Sequence, residues 1–415
     1  MRIDCRHFTG SLPCAYHKHD GRACDACCTY EPASTRILIV KLAAAGDVLR
    51  TTCVLPALRA RYPHAQITWI TEGTSAPLLD DNPLIDRVVA RSDALERLMI
   101  ERFDVVFGLD ADETGAALAT IARGEMRVGF YLDAAGRVLP ANDAARHWWL
   151  MGIDDGRKRA NRRTYPDLLY EVCGLEGPAS LPQLLIPSDA MSNMRAALAP
   201  QLEPFARVVV LNTGGGARWA QKKWTAAHYA EFIGRIRDAH RDWAVLLVGG
   251  PGEVLLNASL LATSRGYGVV DGGCDRSLRD FGAVLTLGDV VVTSDSLALH
   301  MATALGVPTV VLVGPTSPWE LELYGRGTVM HADVPCLACY HRRCPLPVTC
   351  MDLLEPDQVL LGTEQQMEHA PTTQLSISPL PASRLPSSQL PTAHEPAQHQ
   401  LAFSRGQSVS RGWQL

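Results

Sequence analysis

Apolar and polar positions follow two alternating periods along residues 36–362. Short apolar runs typical of buried strands include "RILIVKL", "ARYPHAQITWIT", "IDRVVA", "FDVVFGLD" and "MRVGFY". The stretches "TTCVLPALRARY" and "TGAALATIARG" lie between them and carry the period of an amphipathic helix. Strands that alternate with helices in this way predict a parallel sheet with helices on both faces.

The alternation stops at the proline-containing stretch "GLEGPASLPQLLIPSDA" and then begins again. Five further apolar runs follow, each closed by a turn rich in glycine, serine or aspartate: "FARVVVLNTGGG", "DWAVLLVGGPGE", "GYGVVDGG", "GDVVVTSDS" and "VPTVVLVGPTS". The pattern therefore predicts two Rossmann-like α/β domains in tandem, residues 35–185 and 186–362, joined by a linker.

The two ends of the chain lack this pattern. Residues 1–34 have no hydrophobic periodicity and are too few to bury a core, so we predict a small cysteine-rich appendage. Residues 363–415 are rich in proline, serine and glutamine and poor in periodic apolar residues. We predict a disordered tail there.

Composition and charge narrow the class of protein. Of the 415 residues, 47% are hydrophobic and 20% are charged, as in a soluble globular protein. The net charge of −5 and pI near 6.2 give no overall attraction to nucleic acid, so we expect no nucleic-acid partner. No apolar run approaches the ~20 residues that cross a bilayer, and the polar start does not resemble a signal peptide. We expect a cytoplasmic protein.

The loops that follow the strands are where ligands bind in doubly wound sheets. In the first such loop, "LAAAGDVLRTT", Asp47 follows Gly46 at the head of a helix-patterned run. A carboxylate at this place caps a helix in many proteins. Alternatively, it points beyond the sheet and accepts a proton from a bound hydroxyl group.

A glycine-rich loop opens the second domain. "LNTGGG" places Thr213, Gly214 and Gly215 after a strand, and Lys222 and Lys223 come shortly before a helix. Glycines let a phosphate approach the backbone, and a lysine supplies the point charge that a diphosphate needs. The alternative is a flexible loop without a ligand.

A second strand-to-helix turn has similar chemistry. Asp295 and Ser296 lie in the turn of "VVVTSDSLALHMATALGVPTVVLVGPTSP", and His300 lies about one turn into the helix. Helix capping explains Asp295 equally well, and a packed, hydrogen-bonded histidine explains His300. We keep both interpretations open for each residue.

Taken together, these stretches resemble glycosyltransferase family 9, the bacterial heptosyltransferases that extend the lipopolysaccharide inner core. The resemblance covers roughly residues 36–362. "ILIVKLAAAGDVLRTTCVLPALRARYPHAQITWI" is similar to the family's N-terminal signature, and "SDSLALHMATALGVPTVVLVGPTSP" is similar to its donor-binding signature. "PCLACYHRRCP" with "TCMDLLEPDQV" resembles the end of the catalytic region in some members.

The resemblance implies a GT-B fold, with two Rossmann-like domains facing across a cleft, and inverting sugar transfer. Asp47 matches the family's proposed catalytic base, and Lys222 matches the lysine thought to neutralise the departing nucleoside diphosphate. Lys223 takes that place if the register differs by one residue. Asp295 and Ser296 would hold the nucleotide-sugar donor, with His300 beside them.

The donor is the least specified part of the resemblance. Many family members have glycine shortly after the donor-binding aspartate, where this chain has Leu297. A heptose from ADP-heptose is the expected donor group, and we expect transfer without a metal because no aspartate-rich metal signature is present. Two alternatives of the same fold are a nucleotide-sugar epimerase and a non-catalytic nucleotide-sugar-binding protein.

A basic segment is the candidate acceptor site. "GRKRANRRTYP" contains Arg157, Lys158, Arg159, Arg162 and Arg163 in an otherwise acidic protein. A solvated loop is the simpler interpretation. The functional one is a site for phosphates or carboxylates of a lipid-linked glycan at the inner membrane surface, which would make the protein peripheral to that membrane.

Twelve cysteines are present, and two groups of four stand out. Cys5, Cys14, Cys24 and Cys27 contain one CxxC pair, which suits a structural zinc site in an appendage without a core. His7, His17, His19 and Cys28 are alternative ligands for that site, and the alternative to a metal site is a reduced tail. The second group, Cys336, Cys339, Cys344 and Cys350, either binds metal or packs a loop. No cofactor is expected for catalysis.

Overall fold

A computed structural model describes residues 1–216, 221–264 and 268–369 of the chain. The first predicted sheet is present in its N-terminal half. Its strands are β1 (Thr35–Val40), β2 (Ala65–Thr71), β3 (Arg87–Ala90), β4 (Arg102–Gly108), β5 (Arg123–Leu132) and β6 (Val138–Pro140). They lie in the order β3-β2-β1-β4-β5-β6, and all neighbours are parallel except β5 and β6. Strand β6 was not predicted, because it is only three residues long and ends in proline.

Both faces of this sheet are buried, which explains the uninterrupted apolar run of its central strand. Ile37 and Ile39 belong to one hydrophobic cluster, whereas Leu38 and Val40 belong to the cluster on the opposite face. Successive side chains of a strand point to opposite faces, so a strand covered on both sides must be apolar throughout.

Helices cover these faces and connect the strands. They are α2 (Ala45–Thr51), α3 (Leu55–Arg61), α4 (Leu95–Ile100), α5 (Glu113–Ile121), α6 (Asp143–Ile153), α7 (Asp155–Ala160) and α8 (Tyr165–Cys173). The helix predicted over residues 51–62 is wrong at its start. Helix α2 begins six residues earlier, and a 3-10 turn at Thr52–Val54 separates it from α3.

The second sheet has the same kind of strand order. Its strands are β7 (Arg207–Asn212), β8 (Trp243–Val248), β9 (Val269–Gly273), β10 (Val290–Ser294), β11 (Thr309–Leu312) and β12 (Gly327–Met330). The order β12-β11-β10-β7-β8-β9 is that of a doubly wound nucleotide-binding sheet, and every neighbouring pair is parallel. The predicted fold class, two Rossmann-like α/β halves, is confirmed; strand β12 was missed.

The helices of this half are α9 (Ser188–Leu202), α10 (Ala226–Ala239), α11 (Val254–Thr263), α12 (Leu278–Leu285), α13 (Leu297–Leu305) and α14 (Pro356–His369). Helix α14 corrects the tail boundary predicted at residue 363. Thr363 and Met367 are buried in it, so the folded chain continues past that point. Residues 370–415, the rest of the predicted tail, lie outside the described residues.

Residues 1–34 contain one short helix, α1 (Ala15–Asp20), and a bridge between Cys5 and Pro32. None of these residues is buried. Arg6 connects the segment to the first half, because its side chain lies 3.1 Å from the Asp86 carboxylate and 2.9 Å from that of Glu31. Among the helices in the described ranges, none is long and apolar enough to cross a membrane.

Candidate active site

A cleft of about 790 Å³ lies where loops at the carboxyl ends of strands from both sheets meet. The loop after β1 contributes Asp47 from the first half. The loops after β7 and β10 contribute Gly214 and Asp295 from the second half. Ligands bind at this end of doubly wound sheets, so the position of the cleft agrees with the fold.

Asp47 does not cap helix α2. The N-cap residue is Ala44, and Asp47 lies in the first turn with its Oδ1 2.7 Å from Nη2 of Arg50. Its side chain is 34% exposed and lines the cleft. Burial alone would raise the pKa of Asp47, but the charges of Arg50 and Lys41 lower it to about 2. The carboxylate is therefore ionised at neutral pH and able to accept a hydrogen bond from a hydroxyl group.

A buried ion pair supports the loop that precedes Asp47. Lys41, the residue after β1, pairs with Asp110, which follows β4. The Lys41 Nζ also donates to the carbonyl oxygen of Ala43 at 3.0 Å, and the Leu42 amide donates to Asp110. Both charged side chains are almost completely buried, and their contacts with residues 42 and 43 hold the backbone of this loop in place.

Lys222 and Asp295 form a charged pair on the other edge of the cleft, the side that the second half of the chain provides. Lys222 Nζ lies 2.6 Å from Oδ2 of Asp295, which also accepts a hydrogen bond from the Thr316 hydroxyl at 2.8 Å. Burial would raise the pKa of Asp295, but Lys222 and then His300 lower it. These two separately predicted residues therefore meet in the cleft, and Lys222 is able to offer its charge to an anionic ligand there.

Lys223 is placed differently from Lys222. Its ammonium group lies 2.8 Å from Glu253, and it is not among the residues that line the cleft. The stem of Lys223 runs so close to Gly215 that a Cβ added there would lie 2.6 Å from its Cγ. Gly215 is thus needed because a side chain at this position would collide with the Lys223 stem. Of the two lysines, Lys222 is the one that lines the cleft.

Hydrogen bonds hold Thr213 and Gly214, the first two residues after β7. The Gly214 carbonyl oxygen accepts from Asn212 Nδ2 at 2.9 Å and from the Ser294 hydroxyl at 3.2 Å. Thr213 is completely buried and bonds Asn257 at 2.6 Å. Thr213 therefore anchors the loop, while Gly214 and Gly215 line the cleft.

Helix α13 begins in the cleft, as predicted for the strand-to-helix turn. Ser296 is its N-cap residue, and its hydroxyl lies 3.1 Å from that of Thr293 instead of capping the helix. Leu297 and Ala298, the first residues of this helix, line the cleft beside Asp295 and Ser296, so the amides of its first turn lie at this side of the cleft. Such amides, with the positive end of the helix dipole, favour a phosphate.

His300 joins the two halves of the molecule. Its ring lies against Gly46, where an added Cβ would be only 2.5 Å from the imidazole Cδ2. Burial, and next the charge of Arg50, lower the pKa of His300 to about 4, so the ring is neutral at pH 7. The predicted donor-side histidine thus also packs on the helix that presents Asp47.

The basic segment is divided between the cleft and the surface. Lys158 lines the cleft with its ammonium group 3.8 Å from the centre of the Tyr340 ring, and Arg162 stacks on Trp319 at 3.6 Å. Arg162 and the other three predicted acceptor residues are not among the residues that line the cleft. Arg157 contacts Asp154, Arg163 contacts Glu171, and the Arg159 side chain is exposed.

The cysteines are all free thiols. Cys5, Cys14, Cys24 and Cys27 line one cavity of about 370 Å³, but within the described part of the chain no three His, Cys, Asp or Glu side chains are arranged to hold a metal ion. The zinc site stays a prediction. In the second group, burial and then the neighbouring Cys339, Cys336 and Cys344 raise the pKa of Cys350 to about 11.

Sequence reasoning missed several residues that line the cleft: Arg50, Glu253, Arg276, Glu320 and Tyr340. One signal was available, because Arg50 follows Asp47 by three residues and so lies on the same face of a helix. The others come from loops after different strands, and no local pattern connects them with the predicted site.

A protein-family model described as glycosyltransferase family 9 (heptosyltransferase) matches residues 93–349. The chain is 26% identical over 332 residues to lipopolysaccharide heptosyltransferase 1 of Pseudomonas aeruginosa, which covers 74% of this chain and 87% of that protein. Among solved structures, a family 9 glycosyltransferase from Veillonella parvula aligns over 82% of this chain and 99% of its own, with TM-score 0.66 and 18% identity. The E. coli ADP-heptose lps heptosyltransferase II aligns over 81% and 99%, with TM-score 0.59 and 20% identity.

Proposed function

Because this chain belongs to glycosyltransferase family 9, the heptosyltransferases, we propose that it transfers a heptose from ADP-heptose to a lipopolysaccharide core or a related lipid-linked glycan, with inversion and without a catalytic metal. The relatives' names support the donor and the acceptor class, since one is a lipopolysaccharide heptosyltransferase and another an ADP-heptose lps heptosyltransferase. The observation that carries the proposal is that Asp47 and the Lys222–Asp295 pair line one cleft from different halves.

Inversion requires the acceptor oxygen and the leaving diphosphate to lie on opposite faces of the anomeric carbon. Asp47 accepts the proton of the acceptor hydroxyl as that oxygen attacks and the bond to the diphosphate breaks. The first half supplies this carboxylate, and the second half supplies the groups that receive the diphosphate. Two facing edges therefore suit an in-line displacement.

The leaving diphosphate is stabilised by charge and by oriented amides. Lys222 contributes a cation, and the amides of Gly215 and of the first turn of α13, whose residues line the cleft, would contribute donors. When a diphosphate binds, Lys222 shares its charge between Asp295 and the phosphate oxygens. These groups replace a divalent cation in our proposal, which predicts that chelators leave the rate unchanged.

The acceptor reaches the cleft past the basic segment. Lys158 lies in the cleft lining and Arg162 stands beside it on Trp319, so anionic groups of a glycan meet positive charge on approach. A lipid-linked acceptor places the reaction at the cytoplasmic face of the inner membrane. The protein would bind that surface peripherally and release ADP into the cytoplasm.

The test is a transfer assay with a panel of nucleotide sugars and a deacylated lipopolysaccharide-core acceptor, with products read by mass spectrometry. We expect a product heavier by one heptose with ADP-heptose, unchanged by EDTA, and about 10²-fold less product from Asp47→Asn. Arg97→Met, a change to a half-exposed side chain on helix α4 outside the cleft lining, is the control. Conversion of a free nucleotide sugar without acceptor, or equal transfer by Asp47→Asn, would overturn the proposal.

A further inference from the structure

The Asp47 carboxylate is held by a side chain from its own helix. Among the described residues, Arg50 is the one that forms an ion pair with this carboxylate, with Nη2 2.7 Å from Oδ1. The two residues are three positions apart on helix α2, so the pair forms within one helical turn. Asp47 is 34% exposed, whereas Arg50 is only 16% exposed. The less exposed partner thus carries the positive charge.

Arg50 is itself fixed by an aromatic ring. Its Cζ lies 3.5 Å from the centre of the Tyr165 ring, and the Tyr165 hydroxyl bonds Thr51 at 2.8 Å. Tyr165 is 5% exposed and packs edge-on against Trp148. A guanidinium stacked on a buried ring has a defined plane, so its Nη2 points in one direction.

One nitrogen of the guanidinium, Nε, shows that this placement is not the result of hydrogen bonding alone. Arg50 Nε is buried and has no hydrogen-bond partner in the described part of the chain. Leaving a donor unsatisfied is costly, so the stack and the ion pair with Asp47 must together outweigh that cost. A side chain that only packed the protein interior would not need its charge at this site.

We propose that Arg50 is a positioning residue that holds the Asp47 carboxylate towards the cleft, where it receives the proton of the acceptor hydroxyl. This inference rests on the proposed function, in which Asp47 is the base. General-base catalysis needs the oxygen within hydrogen-bond reach of the reacting hydroxyl, and a carboxylate on a short helix rotates away from that point unless it is held.

The titratable and charged groups around the pair come from both halves. Lys41 and His300 face Asp47, and Tyr165, Glu320 and Asp295 face Arg50. Burial would raise the pKa of Asp47, and Arg50 is the largest influence that opposes it. Without the guanidinium, Asp47 loses its proton only at higher pH, because Lys41 remains as the smaller opposing charge.

The experiment compares wild type with Arg50→Met, Arg50→Lys and a surface control, Arg97→Met on helix α4. Methionine keeps much of the packing on Tyr165 but removes the charge. We expect kcat of Arg50→Met to fall about 10-fold or more while affinity for ADP changes less than about threefold. We also expect the acid limb of its pH profile to move upward by about one unit or more. Arg50→Lys should recover part of both effects, and Arg97→Met should match wild type.

A second readout does not depend on transfer. In ¹³C NMR titration of the carboxyl groups, with the Asp47 signal identified by its loss in Asp47→Asn, the midpoint should be higher in Arg50→Met than in wild type. An unchanged midpoint, or a loss of thermal stability with an unchanged pH profile, would overturn the positioning role. Absence of transfer by wild type would instead contradict the proposed function, and the titration would still decide the role of Arg50.

Discussion

The two edges of the cleft come from sheets of the same strand order, yet they fix their charged groups in different ways. At the first edge Asp47, its partner Arg50 and the underlying Lys41 all lie close to strand β1. At the second edge Lys222 reaches Asp295 across 73 positions of sequence, and loops after several strands contribute. At the first edge the carboxylate is thus locally braced, meaning that residues close to it in sequence hold it in place, which suits a base. The second is assembled from separate loops, which suits a large anionic ligand.

The largest expected effect concerns the ion pair beneath the first edge. Lys41→Met leaves the Asp110 carboxylate buried without its partner and removes the support of the loop that leads to Asp47. We expect the free energy of unfolding to fall by about 3–5 kcal/mol, as measured by urea denaturation. Activity should fall with it, because the loop that presents the base is no longer fixed.

The control for this prediction is a pair at the protein surface. Arg97 and Glu101 lie 3.1 Å apart on the first half, with Arg97 half exposed. Arg97→Met should change the free energy of unfolding by less than about 1 kcal/mol. Equal losses for the buried and the exposed pair would remove the reason to call the first edge locally braced.

The next effect tests the contact between the edges. In Gly46→Ala the new methyl group meets the His300 ring, so helices α2 and α13 must move apart. We expect about 1–3 kcal/mol lower stability together with at least a 10-fold loss of transfer. Gly152→Ala is the matched change, since nothing lies within 4 Å of its Cβ position, and it should be neutral or stabilising. Normal activity in Gly46→Ala would show that the edges tolerate separation.

A smaller effect should appear in the pH dependence of stability. The pKa of His300 is lowered to about 4 in the folded protein, so between about pH 6.5 and 4 the unfolded chain binds a proton that the folded chain does not. Stability contributed by the neutral ring is therefore present above pH 6.5 and is lost as pH falls. Between pH 7 and 5 we expect wild type to lose about 1–2 kcal/mol more than His300→Gln in urea titrations. Parallel losses in both proteins would contradict the lowered pKa.

The smallest effect concerns the basic segment, residues 157–163, which contacts Trp319 and Tyr340 of the second half. Arg162→Ala removes a stack on Trp319, so we expect about 0.5–1 kcal/mol lower stability and a modest rise in the acceptor KM. Arg157→Ala, whose side chain contacts Asp154 of the same segment, should have no measurable effect. If both variants behave alike, Arg162 does not connect the two halves.

The strands and the individual loops of the site were accessible from sequence because their signals are local. Ile37 to Val40 are apolar on both faces, and Asp295 directly follows an apolar strand, so each element could be recognised within a few residues. Strands β6 and β12 were missed because β6 is three residues long and ends in proline, and β12 begins with glycine; all residues of both strands are only partly buried, so neither forms a continuous buried apolar run.

The contacts between the edges were not accessible in the same way. Gly46 is required by His300, which lies in the other half of the chain, and Lys158 meets Tyr340 across a similar distance in sequence. Nothing near Gly46 specifies this neighbour. The sequence indicated that Lys222 or Lys223 serves the site, but only the structure shows Lys223 engaged with Glu253 and Lys222 with Asp295.

The account's central claim is that the base lies on one edge of the cleft and the groups that bind the donor lie on the other. The most direct test compares Asp47→Asn with Lys222→Met in two assays, ADP binding by calorimetry and single-turnover transfer. We predict that Asp47→Asn binds ADP within about threefold of wild type but transfers about 10²-fold more slowly. Lys222→Met should lose about 10-fold or more in ADP affinity as well as transfer, because a cation that meets the diphosphate is gone. If Asp47→Asn weakened ADP binding as much as Lys222→Met, or transferred at the wild-type rate, the assignment of base and donor groups to opposite edges would be contradicted.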